Sequence, residues 1–184
     1  MSVLVYNENW DGQFKKSSFE LVSYAAGIAE MLGTSLTAVS IGNVDDNELK
    51  KLGDYGADKI LKVQDEKVKW LDNKVYVDVL ANVARLENAG VIVISHNNTG
   101  KAVAPGLSVR LKAAAGSGVV SLPLSTEPFI VTKKVFSGKA FANVKLKTDI
   151  KILTLVQNSF EASVKENNAE IVPCRVEVPA PATF

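Results

Sequence analysis

An imidazole, a hydroxyl and an ammonium fall close together in the run Ser95-His96-Asn97-Asn98-Thr99-Gly100-Lys101. His96 is the single histidine of the chain, and an imidazole serves as general acid or base near neutral pH. A catalytic triad or a two-histidine metal site needs partners that this sequence does not offer. His96 is therefore read as a loop residue that hydrogen-bonds locally. Gly100-Lys101 is a fragment of a phosphate loop without the upstream glycine or the following Ser or Thr, so a Walker site is rejected. What remains is anion or partner contact. Amides at a helix start, the Thr99 hydroxyl and the Lys101 ammonium can converge on one anion. His96, Thr99, Gly100, Lys101 and Arg110 form the candidate set; in the bland alternative, Asn98 or Thr99 simply caps a helix.

Other chemistry-bearing residues give less. Gly116-Ser117-Gly118 lacks the third glycine of a dinucleotide fingerprint and precedes a strand, so it reads as a turn. Cys174 stands beside Pro173 with nothing nearby to lower its pKa. Asp45-Asp46 and Asp65-Glu66 sit among lysines and read as solvated surface. Trp10 and Trp70 lie in polar contexts, as interface aromatics or as lids over the core.

The elements that must position the His96–Lys101 run follow from hydrophobic period. Val91 to Ser95 is an apolar strand, and Thr99 to Ala115 has helical spacing with Pro105 in its first turns. A strand feeding a polar turn and then a helix builds the crevice of an open α/β sheet. Upstream, the pattern alternates. Strands are expected at Val3–Tyr6, Leu36–Ile41 and Lys59–Val63, and a polar loop over Asn7 to Gly12. Ser17 with Glu20 has capping-box spacing for a helix that Gly33 stops. Further helices are expected over Asp45–Leu52 and around Tyr76, Val79, Leu80 and Val83, the latter stopped at Gly90. After Gly118 helical spacing disappears. Val119–Leu124, Phe129–Phe136, Ala140–Lys147 and Lys151–Val156 read as strands, those from Phe129 to Val156 as antiparallel, with a hairpin turn at Ser137-Gly138-Lys139. Glu170–Val178 reads as one more edge strand, weakened by Pro173. The expectation is a three-layer open α/β sheet, mainly parallel, with a C-terminal antiparallel hairpin extension. One domain spans 1–160, and 161–184 is an edge segment and Pro/Ala linker.

Composition excludes several classes. The 184 residues can bury a sizeable core, and 47% are apolar. With Lys plus Arg at 21 and Asp plus Glu at 20, no basic surplus points to nucleic acid. A lone cysteine forbids an internal disulfide and fits a reducing compartment. No apolar run has the length of a membrane span, and the first strand begins at Val3 without room for a signal or transit peptide, so the expected location is the cytoplasm.

Several segments, in order along nearly the whole chain, resemble the N-terminal domain of the electron transfer flavoprotein alpha subunit. They are Val3-Leu4-Val5-Tyr6, then Gly56-Ala57-Asp58-Lys59-Ile60, then Thr99-Gly100-Lys101 with Ala104-Pro105 and Arg110-Leu111. Phe136-Ser137-Gly138-Lys139-Ala140 and Lys151-Ile152-Leu153-Thr154 with Ser159-Phe160-Glu161 complete the set. Gly106, Ala102 and Val156-Gln157 depart from the arginine, acidic residue and Arg-Pro pair usual in the family.

The resemblance implies an adenine-nucleotide-hydrolase-like fold and a scaffold role: clasping a beta subunit and supporting a flavin domain. The complete heterodimer would pass electrons from flavin dehydrogenases to a membrane-linked quinone reductase, as a carrier rather than an enzyme. The family's FAD is held mainly by a second, C-terminal domain whose motifs this sequence lacks, so no cofactor is expected in this chain alone. The surface around Phe136, Phe141 and Val144 is the expected partner face, open also to homodimerisation. The competing reading is a free-standing adenine-nucleotide-binding domain, for which Gly116-Ser117-Gly118 is a short match. A hydrolase or transferase lacks a nucleophile–base pair.

Overall fold

Val3 and Val5 point to one face of the first strand, Leu4 and Tyr6 to the other, and each face receives its own helical layer. The computed structural model describes residues 1–68, 72–165 and 167–180. Strand β1 (Ser2–Tyr6) is followed by a small hairpin, β2 (Asn9–Trp10) with β3 (Gln13–Phe14), and by helix α1 (Lys16–Leu32). Then come β4 (Leu36–Ile41), α2 (Asp46–Gly53), β5 (Lys59–Val63), α3 (Asn73–Leu86), β6 (Ala89–Ser95) and α4 (Asn98–Leu111). The last third contains only strands: β7 (Ala114–Val119), β8 (Ser125–Thr126), β9 (Phe129–Val135), β10 (Ala140–Lys145), β11 (Lys151–Leu155) and β12 (Glu170–Pro173).

The main sheet runs β10-β9-β7-β11-β6-β1-β4-β5-β12, with β8 beside β9. All pairings from β7 to β12 along this order are parallel, and those made by β9 are antiparallel. Leu21, Tyr24, Ala25 and Ile28 of α1 and Leu49 and Leu52 of α2 cover the Val3/Val5 face. Val79, Leu80 and Val83 of α3 and Val103 and Leu107 of α4 cover the Leu4/Tyr6 face. The result is the expected three-layer, mainly parallel sheet. Its apolar interior drives folding at roughly 25 cal/mol per Å² removed from water.

Several local expectations are corrected. β11 is not part of an antiparallel extension; Lys151–Leu155 slots between β6 and β7, parallel to both. Its residues 152–155 are buried on both faces, so the apolar run lacks the alternation of an edge strand. Gly116-Ser117-Gly118 is not a turn but lies within β7. A Cβ on Gly116 would meet Leu153 Cδ2 at 3.0 Å, and Gly118 sits at φ +74 where the register to β11 shifts. Residues 120–124 are not strand, and α4 stops at Leu111 rather than Ala115, because Lys112 turns left-handed. The loop over Asn7 to Gly12 contains β2, and Gly90 lies inside β6 rather than ending the helix before it.

The capping box at Ser17 and Glu20 does not form either. Lys15 is the N-cap of α1 without a side-chain hydrogen bond. The buried Glu20 carboxylate instead accepts the backbone N–H groups of Asn158, Ser159 and Phe160 at 2.9–3.0 Å, pinning the exit of β11 onto α1. Beyond β12, Val178 is buried and its carbonyl accepts from Lys67 Nζ at 2.9 Å, so the described part of the terminal segment packs on the domain. Trp70 and residues 181–184 lie outside the described residues.

Candidate functional site

The chain leaves β1 and builds β4 and β5 to one side, then crosses over through α3 to place β6 on the other side. This reversal of direction splits the loops apart at the carboxyl ends of β1 and β6, where open α/β sheets hold their ligands. A crevice of about 320 Å³ lies there, lined by Glu8, Trp10, Lys15, Ser95, Asn97 and Thr99 among others. Ser95 and Asn97 to Thr99 form one wall, while His96, Gly100 and Lys101 of the same turn do not line it.

The polar groups of that wall are already engaged. Asn97, not Asn98 or Thr99, is the N-cap of α4, and its Oδ1 accepts the Gly100 N–H at 2.8 Å. Asn97 Nδ2 donates to Glu8 Oε2 at 2.6 Å, and Thr99 Oγ1 donates to Glu8 Oε1 at 2.8 Å. The carboxylate of Glu8 therefore sits where the sequence places an external anion, at the positive end of α4. Thr99 and Gly100 are buried, which takes them out of reach of an external anion, while Asn98 and Lys101 are exposed. Glu8 was not among the sequence candidates. Its only sequence signal is being the first acid after a buried strand.

His96 behaves as a structural residue. Its backbone N–H reaches Leu155 O at 2.7 Å, and Nδ1 lies 2.8 Å from Thr154 Oγ1. The same Thr154 oxygen accepts the Gly118 N–H at 2.9 Å, so one hydroxyl ties the imidazole to β7. Burial, then the Lys101 and Lys133 charges, hold the imidazole pKa below its ordinary value. A neutral ring adds no positive charge to the crevice. Gly118 packs on the ring and is required there by its φ of +74, since a Cβ would stand in ordinary contact, 3.5 Å from Cε1 and Nε2.

Arg110 does not join this group. It sits in the last turn of α4, about 16 Å along the helix from Thr99 at 1.5 Å per residue, and its Nε donates to Asp78 Oδ1 of α3 at 2.7 Å. Gly106, in the same helix, stands against α3, where a Cβ would come within 2.9 Å of Val77 Cγ2. The departure from an arginine there matches close packing of α3 on α4. Cys174 is buried, and burial followed by the Glu87 charge raises its thiol pKa, so it is protonated and unreactive at neutral pH. Trp10 is exposed with the Lys15 ammonium 4.9 Å from its ring centroid, so it is not a lid over the core. Among the described residues no group of His, Cys, Asp and Glu converges to hold a metal ion, and no helix is long and apolar enough to cross a membrane.

The chain is a mainly parallel α/β sheet with a crevice at its switch point, one wall of which is tied to the Glu8 carboxylate. Comparison with known proteins makes this more specific. The family model for the electron transfer flavoprotein domain matches residues 3–181, so the chain belongs to the electron transfer flavoprotein family. It is 29% identical over 170 residues to the electron transfer flavoprotein subunit alpha of Bacillus subtilis, covering 90% of this chain and 50% of that protein. The subunit alpha of Clostridium acetobutylicum is 25% identical over 177 residues, 95% of this chain and 53% of the relative. The acryloyl-CoA reductase electron transfer subunit beta of Anaerotignum propionicum is 27% identical over 128 residues, 70% of this chain and 35% of the relative. The chain thus spans about half the length of the two alpha subunits it matches.

Proposed function

We propose that this chain is the N-terminal scaffold and dimerisation domain of an electron transfer flavoprotein alpha subunit. In the complete assembly it pairs with a beta subunit and supports a flavin-holding domain. The assembly carries electrons from flavin dehydrogenases to a quinone reductase in the cytoplasm, and this domain does no chemistry of its own. The observation that carries the reading is the family match over the whole sheet, from β1 to the segment after β12. Two features support it. The Glu8 carboxylate holds the helix-start position that a nucleotide phosphate would need. The β9–β10 hairpin leaves Phe136 and Phe141 at 82% and 65% exposure, apolar surface available to a partner. Val144, grouped with them from the sequence, instead packs against the core.

His96 and Lys101 are the members of the sequence set left for partner contact on this reading, with the exposed Asn98 beside them. The test is mixing. The chain should co-elute with an electron transfer flavoprotein beta subunit, and Phe136→Ser with Phe141→Ser should weaken that association. Tight AMP binding without beta-subunit association would favour the free-standing nucleotide-binding alternative.

A further inference from the structure

On the far side of Glu8 a second, wider crevice opens across the carboxyl ends of β1, β4 and β5, with a volume of about 1170 Å³. Four carboxylates line it, Glu8, Asp11, Asp65 and Glu66, and among the described residues no Lys or Arg does. The whole chain is nearly balanced at 21 basic against 20 acidic residues, so this is a local concentration of one sign. A crevice lined by one sign concentrates the field and attracts the opposite charge.

The second observation is independent of charge. Tyr6 and Tyr76 line the same crevice, edge to face with centroids 6.1 Å apart, and are only 3% and 7% exposed. Neither hydroxyl has a hydrogen-bond partner among the described residues. Tyr24, the other deeply buried tyrosine, gives its hydroxyl proton to Ser121 O at 3.0 Å. The Tyr6 and Tyr76 rings are buried but neither oxygen is a buried orphan; both open onto the crevice and are available there to a polar ligand. Burial, then the neighbouring Glu8 charge, raises the Tyr76 pKa; burial, Tyr76 and Glu8 raise that of Tyr6. Both hydroxyls are neutral at neutral pH and can each accept a hydrogen bond.

We propose that this crevice is a binding site for an organic cation bearing primary ammonium groups, held by the Tyr6 and Tyr76 hydroxyls within the field of Asp11, Asp65 and Glu66. Phosphates and other anions are repelled by the four carboxylates. A divalent metal is disfavoured because both Glu8 oxygens already accept from Asn97 and Thr99, and Asp65 Oδ1 accepts the Lys67 N–H at 2.9 Å. An ammonium fits both needs, since it carries charge for the carboxylates and N–H donors for the phenols. The aromatic walls of Tyr6, Tyr76 and Trp10 add cation–π attraction. The site does not depend on the subunit-pairing proposal, and its test needs no beta subunit.

The experiment is titration of the intact chain with spermidine at low ionic strength, followed by amide NMR shifts and calorimetry. Saturable binding is expected, with shifts centred on residues 6–12, 42–43 and 64–68. Tyr6→Phe and Tyr76→Phe keep the rings in the core and should each weaken binding about 10-fold, the cost of one lost charge-assisted hydrogen bond at the lower end. Asp65→Asn with Glu66→Gln, on the surface, should weaken it about 10-fold or more. Unchanged affinity in both phenylalanine variants would reduce the effect to general charge attraction and overturn the site. So would the absence of saturation up to about 10 mM spermidine, an affinity weaker than about 3 kcal/mol. Mg²⁺ that competes with spermidine at equal concentration, or AMP that binds in its place, would overturn the assignment of the ligand class.

Discussion

The Thr99 hydroxyl donates to Glu8 Oε1 at 2.8 Å across 91 positions of sequence, joining the exit of the first strand to the start of α4. With Asn97 Nδ2 on the other carboxylate oxygen, Glu8 ties together one wall of the switch-point crevice. Thr99 is nearly buried, so its partner matters. Thr99→Val and Glu8→Gln should each cost about 1–2 kcal/mol in urea unfolding, and the double variant less than the sum, with a coupling of about 1 kcal/mol. Fully additive losses would mean that the contact carries no energy.

His96 is the one histidine, so its ring protons give a single NMR titration without assignment. Burial and the Lys101 and Lys133 charges lower its pKa in the folded state, and the midpoint should fall below the unfolded value of about 6.5. The sign for stability follows. Between the two values the unfolded chain binds more protons, so stability declines as pH falls from about 6.5 through the folded pKa and then levels. His96→Asn should remove that part of the pH dependence. A midpoint at or above the ordinary value would show the ring to be solvated or paired with an acid.

Where period and punctuation were strong, the sequence was enough. Leu36–Ile41 and Lys59–Val63 fall on the strands they predicted, and Gly33 ends α1 in the left-handed conformation. The misses share a cause: long-range partners outweighed local pattern. Glu20 looks like a capping residue, yet its carboxylate is worth more to three N–H groups 138 or more positions away. Lys151–Leu155 follows a hairpin and is read with it, but an apolar strand gains most in the centre of the sheet. The candidate site divided the same way. The turn before Thr99 was legible as strand, polar turn and helix. Glu8, which binds its polar groups, comes from the loop after β1, and Asp65-Glu66, read as solvated surface, is exposed in the fold.

Two glycines of α4 should respond oppositely to alanine. A Cβ on Gly100 would lie 1.8 Å from Ser95 O, a backbone atom of β6 that cannot retreat without breaking the sheet. Gly100→Ala should cost more than about 3 kcal/mol or prevent folding. A Cβ on Gly106 meets only the Val77 side chain, at 2.9 Å. The helix-propensity gain of about 1 kcal/mol offsets that adjustment, and Gly106→Ala should change stability by under about 1 kcal/mol. Thermal unfolding of the two variants checks the contrast, and equal effects would mean that β6 and α4 are not packed as described.

Glu20 offers the sharpest test of how the last third of the chain is held. Its side chain is buried, and its two oxygens accept three successive backbone N–H groups from Asn158 to Phe160, where Asn158 takes φ +59. Phe160 then stacks edge-on against Tyr24, 5.5 Å between centroids, so the clamp also seats an aromatic on α1. Removing the carboxylate leaves those donors to find water near a packed surface. Glu20→Ala should cost of order 3 kcal/mol, because hydrogen bonds to a charged acceptor are worth about 1.5–3 kcal/mol each and water recovers part of the loss. Glu20→Gln keeps one acceptor oxygen and should lose about half as much. Hydrogen exchange localises the effect: the amides of 158–160 should lose protection first, ahead of β6 and β11, as a local opening rather than global unfolding. If protection there survives Glu20→Ala while global stability falls, the carboxylate serves the packing of α1 instead, and the clamp is not what holds the exit of β11.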